Sequence, residues 1–289
     1  MKKSFLLASI AFVLSITSCN TLVDDTIVSI GGEDRMTRVV VAVFDSEGNA
    51  INVQEAEANT EKDYEMVDEN FKHRVLIEDF TGTWCVNCPR VTYTIEKLLE
   101  PEHHDKFVAV ALHNGTNDPF AFVPYETELH GILANKLAEN PILIAYPFSP
   151  LNRSEIWTRE GSHYDPLQVL NMVQESSPVG IRIDSDLGDT DGSVTVSFKF
   201  NQDYNEPLKY IVYIVEDGLV YPQQDSSKIG DTDSEWYKTS DGQIADFVHN
   251  AVVKGMVGTD VLGTTIPANE TKAGQIFTTG RLNVNYKIY

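Results

Sequence analysis

Val75-Leu76-Ile77-Glu78-Asp79-Phe80-Thr81-Gly82-Thr83-Trp84-Cys85-Val86-Asn87-Cys88-Pro89 is the stretch on which the reading of this chain turns. Its first six residues are mostly apolar with no helical period, as in a strand covered on both faces. Thr81-Gly82-Thr83 then supplies a turn. Two residues separate the cysteines, a spacing that brings both sulfurs within bonding distance on one helical turn. Proline inside a helix loses an amide hydrogen bond and clashes with the carbonyl four residues back, so Pro89 places the helix start near Cys85. There, unsatisfied amides and the helix dipole favour an anion and raise the thiolate fraction. Cys85 is thus the expected nucleophile and Cys88 the resolving thiol. Attack on a disulfide would leave a mixed disulfide on Cys85, which Cys88 then displaces.

The chain has three cysteines, and the remaining one, Cys19, closes a different pattern. Lys2 and Lys3 precede an apolar run over residues 5–14 and a small-residue stretch, Ser15-Ile16-Thr17-Ser18. This is a secretory signal, since a membrane-spanning helix needs about 20 apolar residues. Ile16-Thr17-Ser18-Cys19 resembles the bacterial lipobox, which implies acylation of Cys19 and its exposure as the first mature residue. Two or more acyl chains hold a protein stably on a membrane. An ordinary secretory peptide with a stray cysteine is the blander alternative. If Cys19 carries lipid, Cys85 and Cys88 have only each other in an oxidising compartment. A two-residue loop contributes little chain-entropy stabilisation, so the pair points to chemistry more than to architecture. With 43 acidic against 22 basic residues the net charge is −21. Nucleic acid is not an expected partner, and membrane attachment falls to the acyl chains because such a surface repels anionic lipid.

By pattern the chain divides into a signal at residues 1–18, a tether and short N-terminal β segment at 19–70, an α/β domain at 71–178 and an all-β sandwich at 179–289. In the β segment, Arg38-Val39-Val40-Val41-Ala42-Val43-Phe44 reads as a strand, Ser46-Glu47-Gly48-Asn49 as a turn and Ala50-Ile51-Asn52-Val53 as a second strand. Residues 54–69 are acidic and poor in apolar side chains, and read as a surface linker. Helices are expected up to Leu99, over residues 125–137 and over 166–174, alternating with buried strands at 75–80 and 107–112 and with the apolar run 142–145, also read as a strand. Ser193-Val194-Thr195-Val196-Ser197-Phe198-Lys199-Phe200 and Leu282-Asn283-Val284-Asn285-Tyr286-Lys287-Ile288 alternate with period two, and residues 208–215 and 246–253 are further strand candidates.

Strand, turn and Trp-Cys-x-x-Cys together resemble the redox site of thioredoxin-like proteins. The resemblance implies that Asp79 corresponds to a buried proton-relay acid serving Cys88, a strand-end acid capping a turn being the alternative reading. It also implies that Trp84, Tyr146 and Pro147 receive the substrate, with a cis peptide before Pro147; Pro141 and Pro150 compete for that role. The match is closer still to the outer membrane protein twenty-eight family of surface-associated lipoproteins. It rests on the 75–82 strand phrase, Trp84 to Pro89, Tyr146-Pro147, Asn152-Arg153 and Val248-His249-Asn250. That resemblance implies a thioredoxin-like α/β domain followed by a β-sandwich on an outer-membrane lipoprotein, with a suggested role in adhesion. Val86-Asn87 between the cysteines, and Pro89 after them, depart from ordinary thioredoxins and leave the direction of electron flow open.

No metal or cofactor is expected. A structural zinc needs four ligands, the chain offers no second cysteine pair, and His103-His104 sit in a charged loop. Asp184-Ser185-Asp186-Leu187-Gly188-Asp189-Thr190-Asp191-Gly192 lacks the spacing of a calcium loop and reads as a hairpin. The leading functional expectation is a membrane-tethered thiol-disulfide oxidoreductase whose partners are protein thiols or disulfides outside the cytoplasm. The alternative is a surface binding or adhesion lipoprotein that keeps an inert disulfide. Which face of the outer membrane it occupies is not written in the chain.

Overall fold

The computed structural model describes residues 35–161, 163–226, 242–287 and 289. The signal at residues 1–18 and the lipidation candidate Cys19 lie outside the described residues. Among the described residues no helix is long and apolar enough to cross a membrane.

Strands β1 (Met36–Phe44) and β2 (Ala50–Glu57) form an antiparallel hairpin. Its turn is held by the Asp45 carboxylate, which accepts from the amides of Glu47 and Asn49 at 3.0 and 2.8 Å. β1 is apolar at consecutive positions because both of its faces are covered: Val39, Val41 and Val43 join one core, and Val40, Ala42 and Phe44 another. Residues 54–69 are more than a linker. β2 runs on to Glu57, Gln54 reaches Ile181 O at 2.6 Å, and Glu61–Lys62 adds a short strand to a second sheet. Their polar composition suits an edge, where one side of each strand meets water.

The next elements are β3 (Val75–Thr81), α1 (Pro89–Leu98), β4 (Phe107–His113), α2 (Tyr125–Leu137), β5 (Pro150–Leu151), β6 (Glu155–Ile156) and α3 (Pro166–Met172). After them come β7 (Val179–Leu187), β8 (Asp191–Phe200), β9 (Leu208–Asp217), β10 (Val252–Met256), β11 (Thr264–Ile266), β12 (Ile276–Thr278) and β13 (Leu282–Asn285). The apolar run 142–145 is not a strand. Pro141–Leu143 is a single 3-10 turn that leaves Ile142 and Leu143 exposed, because proline fixes φ and brings no donor for a ladder.

The expectation of an α/β thioredoxin-like domain followed by a separate sandwich is overturned, for the fold is mostly β, with three α-helices among the described residues. One nine-stranded sheet runs β2-β1-β9-β10-β4-β3-β5-β6, with β11 also pairing β9. It therefore joins strands from the N-terminal segment, the CxxC region and the C-terminal region. The physical reason lies in β4. It pairs β3 in parallel along its whole length, and its other edge is met by β10, through a parallel bridge between Ala111 and Val252. β10 pairs β9, and β9 pairs β1 over nine residues, from Met36↔Asp217 to Phe44↔Lys209. The sheet curls: the Ala50 amide on β2 donates to Asn152 O beside β5 at 2.8 Å, joining opposite ends of the strand order.

Two large cores lie on the faces of β1 and β9. One, containing Val41, Val212, Ile183, Val196 and Phe198, is closed by the second sheet, in which β7 and β8 form a hairpin flanked by Glu61–Lys62, β12 and β13. Period-two burial along β7 and β8 follows from that one-sided packing. The Asp184 to Gly192 run ends β7, turns through a Gly188 N–H to Asp191 O bond of 2.8 Å and opens β8. The other core packs Ala42, Leu76, Phe80, Val110 and Tyr213 under Leu129 and Leu133 of α2. Each fully buried aliphatic or aromatic side chain contributes roughly 1.5–3 kcal/mol. A smaller core places Val91 and Leu98 of α1 and Val169 of α3 against Val75 and Ile77 of β3.

Candidate functional site

β3 is buried at every position and delivers the chain into a turn at Gly82. A Cβ on Gly82 would lie 2.5 Å from the Trp84 indole nitrogen, and one on Gly115 (φ +120°) equally close. The indole is seated between these two glycines and donates to Asn114 O at 2.6 Å. Trp84 as a whole remains 46% exposed. The Thr83 amide donates to Asp118 Oδ2 at 2.7 Å, fixing the approach to the cysteines.

Cys85 and Cys88 are joined as a disulfide, their Cα atoms 5.4 Å apart. The Cys85 amide donates to Gly82 O at 2.9 Å and the Cys88 amide to Cys85 O at 3.2 Å, so the pair occupies a turn that leads into α1. The α-helix itself begins at Pro89 with Cys88 as its N-cap, later than the start at Cys85 read from the sequence. Pro89 sits where a missing N–H costs nothing. The cysteines are 3% and 1% exposed, although Val86 between them is 43% exposed.

Asp79 lies near the end of β3, buried, and accepts from Ser149 Oγ at 2.8 Å. Burial pushes its pKa up to about 7 against the opposing effects of that hydrogen bond and of His113. The Tyr146–Pro147 peptide is cis, as is Val123–Pro124, which the sequence did not single out. Pro141 opens the 3-10 turn and Pro150 opens β5. Phe80 and Phe148 exchange backbone hydrogen bonds of 2.9 and 3.3 Å, bringing the cis proline and Ser149 beside the end of β3. The Tyr146 ring meets the Trp84 ring at 5.4 Å and stacks on His130 at 5.0 Å. Its hydroxyl donates to Glu126 and accepts from Asn114 Nδ2. Cys85, Cys88, Asp79, Trp84, Tyr146 and Pro147 therefore converge at one end of the β3–β4 pair.

A second set of groups surrounds them that local sequence reading missed. His113, at the end of β4, pairs its Nδ1 with Asp118 Oδ2 at 3.0 Å. Burial opposes the charge on Asp118, yet bonds from His113, Thr83 and Phe120 hold its pKa below the usual range. The His249 ring lies 5.4 Å from that of His113, and burial, with His113 beside it, pushes its pKa down to about 3. Gln223 donates through Nε2 to Cys85 O at 2.9 Å and to Gly82 O at 3.2 Å. A cavity of about 370 Å³ opens beside the site, lined in part by Asp79, Ala111, His113, Gln223, Phe247 and His249. Among the described residues no cluster of three or more His, Cys, Asp or Glu could hold a metal ion. Only the phrase Val248-His249-Asn250 gave a signal for any of this set, because Gln223 lies 138 residues from Cys85 and no local pattern connects them.

No curated protein matches the chain. Among solved structures, HBP35 of Porphyromonas gingivalis is similar, with 20% sequence identity and a TM-score of 0.49 over 74% of this chain; the match spans 64% of that protein's chain. The family model described as outer membrane protein Omp28 matches residues 135–285. That span is more than half of the sequence, and the chain belongs to the Omp28 family of outer membrane proteins.

Proposed function

We propose that this outer membrane protein is a lipoprotein, tethered through Cys19, whose Cys85–Cys88 pair exchanges electrons with disulfides of proteins outside the cytoplasm. The observation that carries the reading is the Cys85–Cys88 disulfide in the turn before α1, with buried Asp79 and the cis Tyr146–Pro147 peptide at the same end of β3. In the reducing direction, the Cys85 thiolate attacks one sulfur of a substrate disulfide and the other sulfur leaves as a thiolate. Cys88, deprotonated by Asp79, then attacks the Cys85 sulfur, reforming the Cys85–Cys88 bond and releasing the second substrate thiolate. Two electrons pass to the substrate, and a dithiol partner restores the pair. Exposed Trp84 and half-buried Tyr146 offer aromatic surface next to the exchange.

The test is reduction of insulin by dithiothreitol in the presence of purified residues 20–289, beside Cys85→Ser. Acceleration that disappears in Cys85→Ser is expected. A second reading has its own observation: both cysteines are nearly fully buried, as in an inert disulfide on a surface binding lipoprotein. No acceleration by the unsubstituted protein would favour it and sink the oxidoreductase reading.

A further inference from the structure

The redox turn is held by a segment from the other half of the chain. Besides the two bonds from the Gln223 amide, the Gln224 N–H donates to Thr83 O at 2.8 Å and the Ser226 N–H to Val86 O at 2.9 Å. Ser226 Oγ reaches Asn87 Oδ1 at 3.1 Å. Residues 223–226 thus engage the carbonyls of Gly82, Thr83, Cys85 and Val86, the Gln223 side chain meeting those of Gly82 and Cys85 and main-chain N–H groups meeting those of Thr83 and Val86, the latter two as an added strand would. Gln223–Gln224 is itself paired with Gln243–Ile244, which anchors the segment on its other side. Under this strap Cys85 is 3% exposed, while Trp84 and Val86, on either side of it, are 46% and 43% exposed. The residue whose sulfur would enter exchange is thus the withdrawn one of the three, in a turn whose carbonyls the strap occupies.

We propose that the 223–226 strap is an intramolecular competitor for the substrate position, so that the disulfide opens to extended polypeptide segments able to pair with the carbonyls of Thr83 and Val86 in its place. This deepens the oxidoreductase reading and rests on it for the identity of the occupant. The gate itself does not need that reading. A small disulfide or thiol offers no main chain to replace the lost bonds, so it waits for spontaneous lifting of the strap. An extended segment of a protein offers donors of the same kind and spacing, and displaces the strap without leaving the turn's carbonyls unpaired. The selected substrate class is therefore protein disulfides in extended, accessible chain.

The experiment follows reduction of the Cys85–Cys88 bond by dithiothreitol, which gives up two electrons and becomes its own cyclic disulfide, with trapping by alkylation and mass measurement. It compares the unsubstituted protein with Gln223→Ala, which removes the side-chain bonds, Ser226→Pro, which removes the N–H to Val86 O, and Ser226→Ala, which removes only the Oγ bond. Loss of two neutral hydrogen bonds shifts an opening equilibrium by on the order of tenfold. Reduction is expected to accelerate by about that factor in Gln223→Ala and in Ser226→Pro, and less in Ser226→Ala. Hydrogen exchange of the Gln224 and Ser226 amides in the unsubstituted protein is expected to be slow, and to become fast on reduction in the presence of a bound extended peptide. Unchanged reduction rates in folded variants, or fast exchange of both amides in the unsubstituted protein, would overturn the gate. Faster reduction of the variants with no insulin turnover would leave the gate standing and remove the oxidoreductase reading.

Discussion

Asp79 carries a charge balance that a pH series can read. Its carboxyl is buried and its pKa is pushed from 3.8 to about 7, so the folded chain binds this proton more tightly than the unfolded one. Stability attributable to it is full below pH 4, declines as pH rises through the window up to 7, and is flat above. Asp79→Asn keeps an acceptor for Ser149 Oγ and loses the charge. The variant is expected to match the unsubstituted protein near pH 4 and to exceed it above pH 7 by a few kcal/mol, since each tenfold change in proton affinity corresponds to about 1.4 kcal/mol. Urea unfolding at pH 4 and pH 8 measures this, and an equal difference at both would contradict it. At the neighbouring turn, Gly115→Ala places a Cβ 2.5 Å from the Trp84 indole nitrogen at a φ of +120°. It is expected to cost more than ~1 kcal/mol and to shift Trp84 fluorescence towards that of an indole released into water. An unchanged emission spectrum would show that the two-glycine seat is dispensable.

Between β5 and β6 the chain turns through Asn152 (φ +50°) and Arg153 (φ +54°), two consecutive left-handed residues of which asparagine tolerates the conformation far better than arginine. The turn is held by what these side chains reach. Asn152 Oδ1 accepts from Leu76 N at 2.7 Å. Arg153 makes two 2.7 Å bonds to the carboxylate of Glu78 on β3, which also accepts from the Tyr213 hydroxyl on β9 at 2.8 Å. The guanidinium lies 4.3 Å from the Phe44 ring on β1. This buried cluster ties three strands, β1, β3 and β9, to the turn between β5 and β6, and so joins three regions of the chain. Arg153→Met removes the cationic partner of Glu78 in the core, leaving it only the Tyr213 hydroxyl, and is expected to cost about 3–5 kcal/mol in urea unfolding. Arg153→Met combined with Glu78→Gln is expected to recover part of that loss. A double variant as unstable as the single one would place the cost in the turn's backbone instead.

At the level of the whole molecule, β1 and β9 have a core on each face, and β10 carries the CxxC region's sheet onto them. A fragment of residues 71–178 would expose the edge of β4 and the side chains of Leu76, Phe80 and Val110 that pack with Ala42 and Tyr213. Such a fragment is expected to lack near-UV circular dichroism and to aggregate. Residues 20–289 are expected to unfold in one transition, with tryptophan fluorescence and far-UV circular dichroism coinciding. Two separated transitions, or a well-folded 71–178 fragment, would contradict the shared sheet as the unit of folding.

Local pattern was enough for the elements whose cause is local. The apolar run of β3, the period-two burial of β8, the turn at Ser46 to Asn49, and a helix after the cysteines, though it starts at Pro89 and not near Cys85, follow from the residues within each element, since their hydrogen bonds and faces are set by neighbours in the chain. The same locality made Cys85, Cys88, Trp84 and Tyr146–Pro147 readable as a candidate site. What joins the elements was not readable in that way. That β10 would bridge to β4, that Arg153 would meet Glu78 and Tyr213, and that Gln223 would hold the carbonyls of Gly82 and Cys85 depend on contacts between residues 60 to 141 positions apart. Such contacts form only after the chain has closed long loops, and a β edge accepts any strand that satisfies its hydrogen bonds and its faces. The sequence by itself determined the long strands, the helical segments and the close spacing of Cys85 and Cys88, because those are set by neighbours in the chain; tertiary structure alone decided that they share one curled sheet, that the 142–145 run is not a strand, and that residues 223–226 bond to the turn carrying the disulfide.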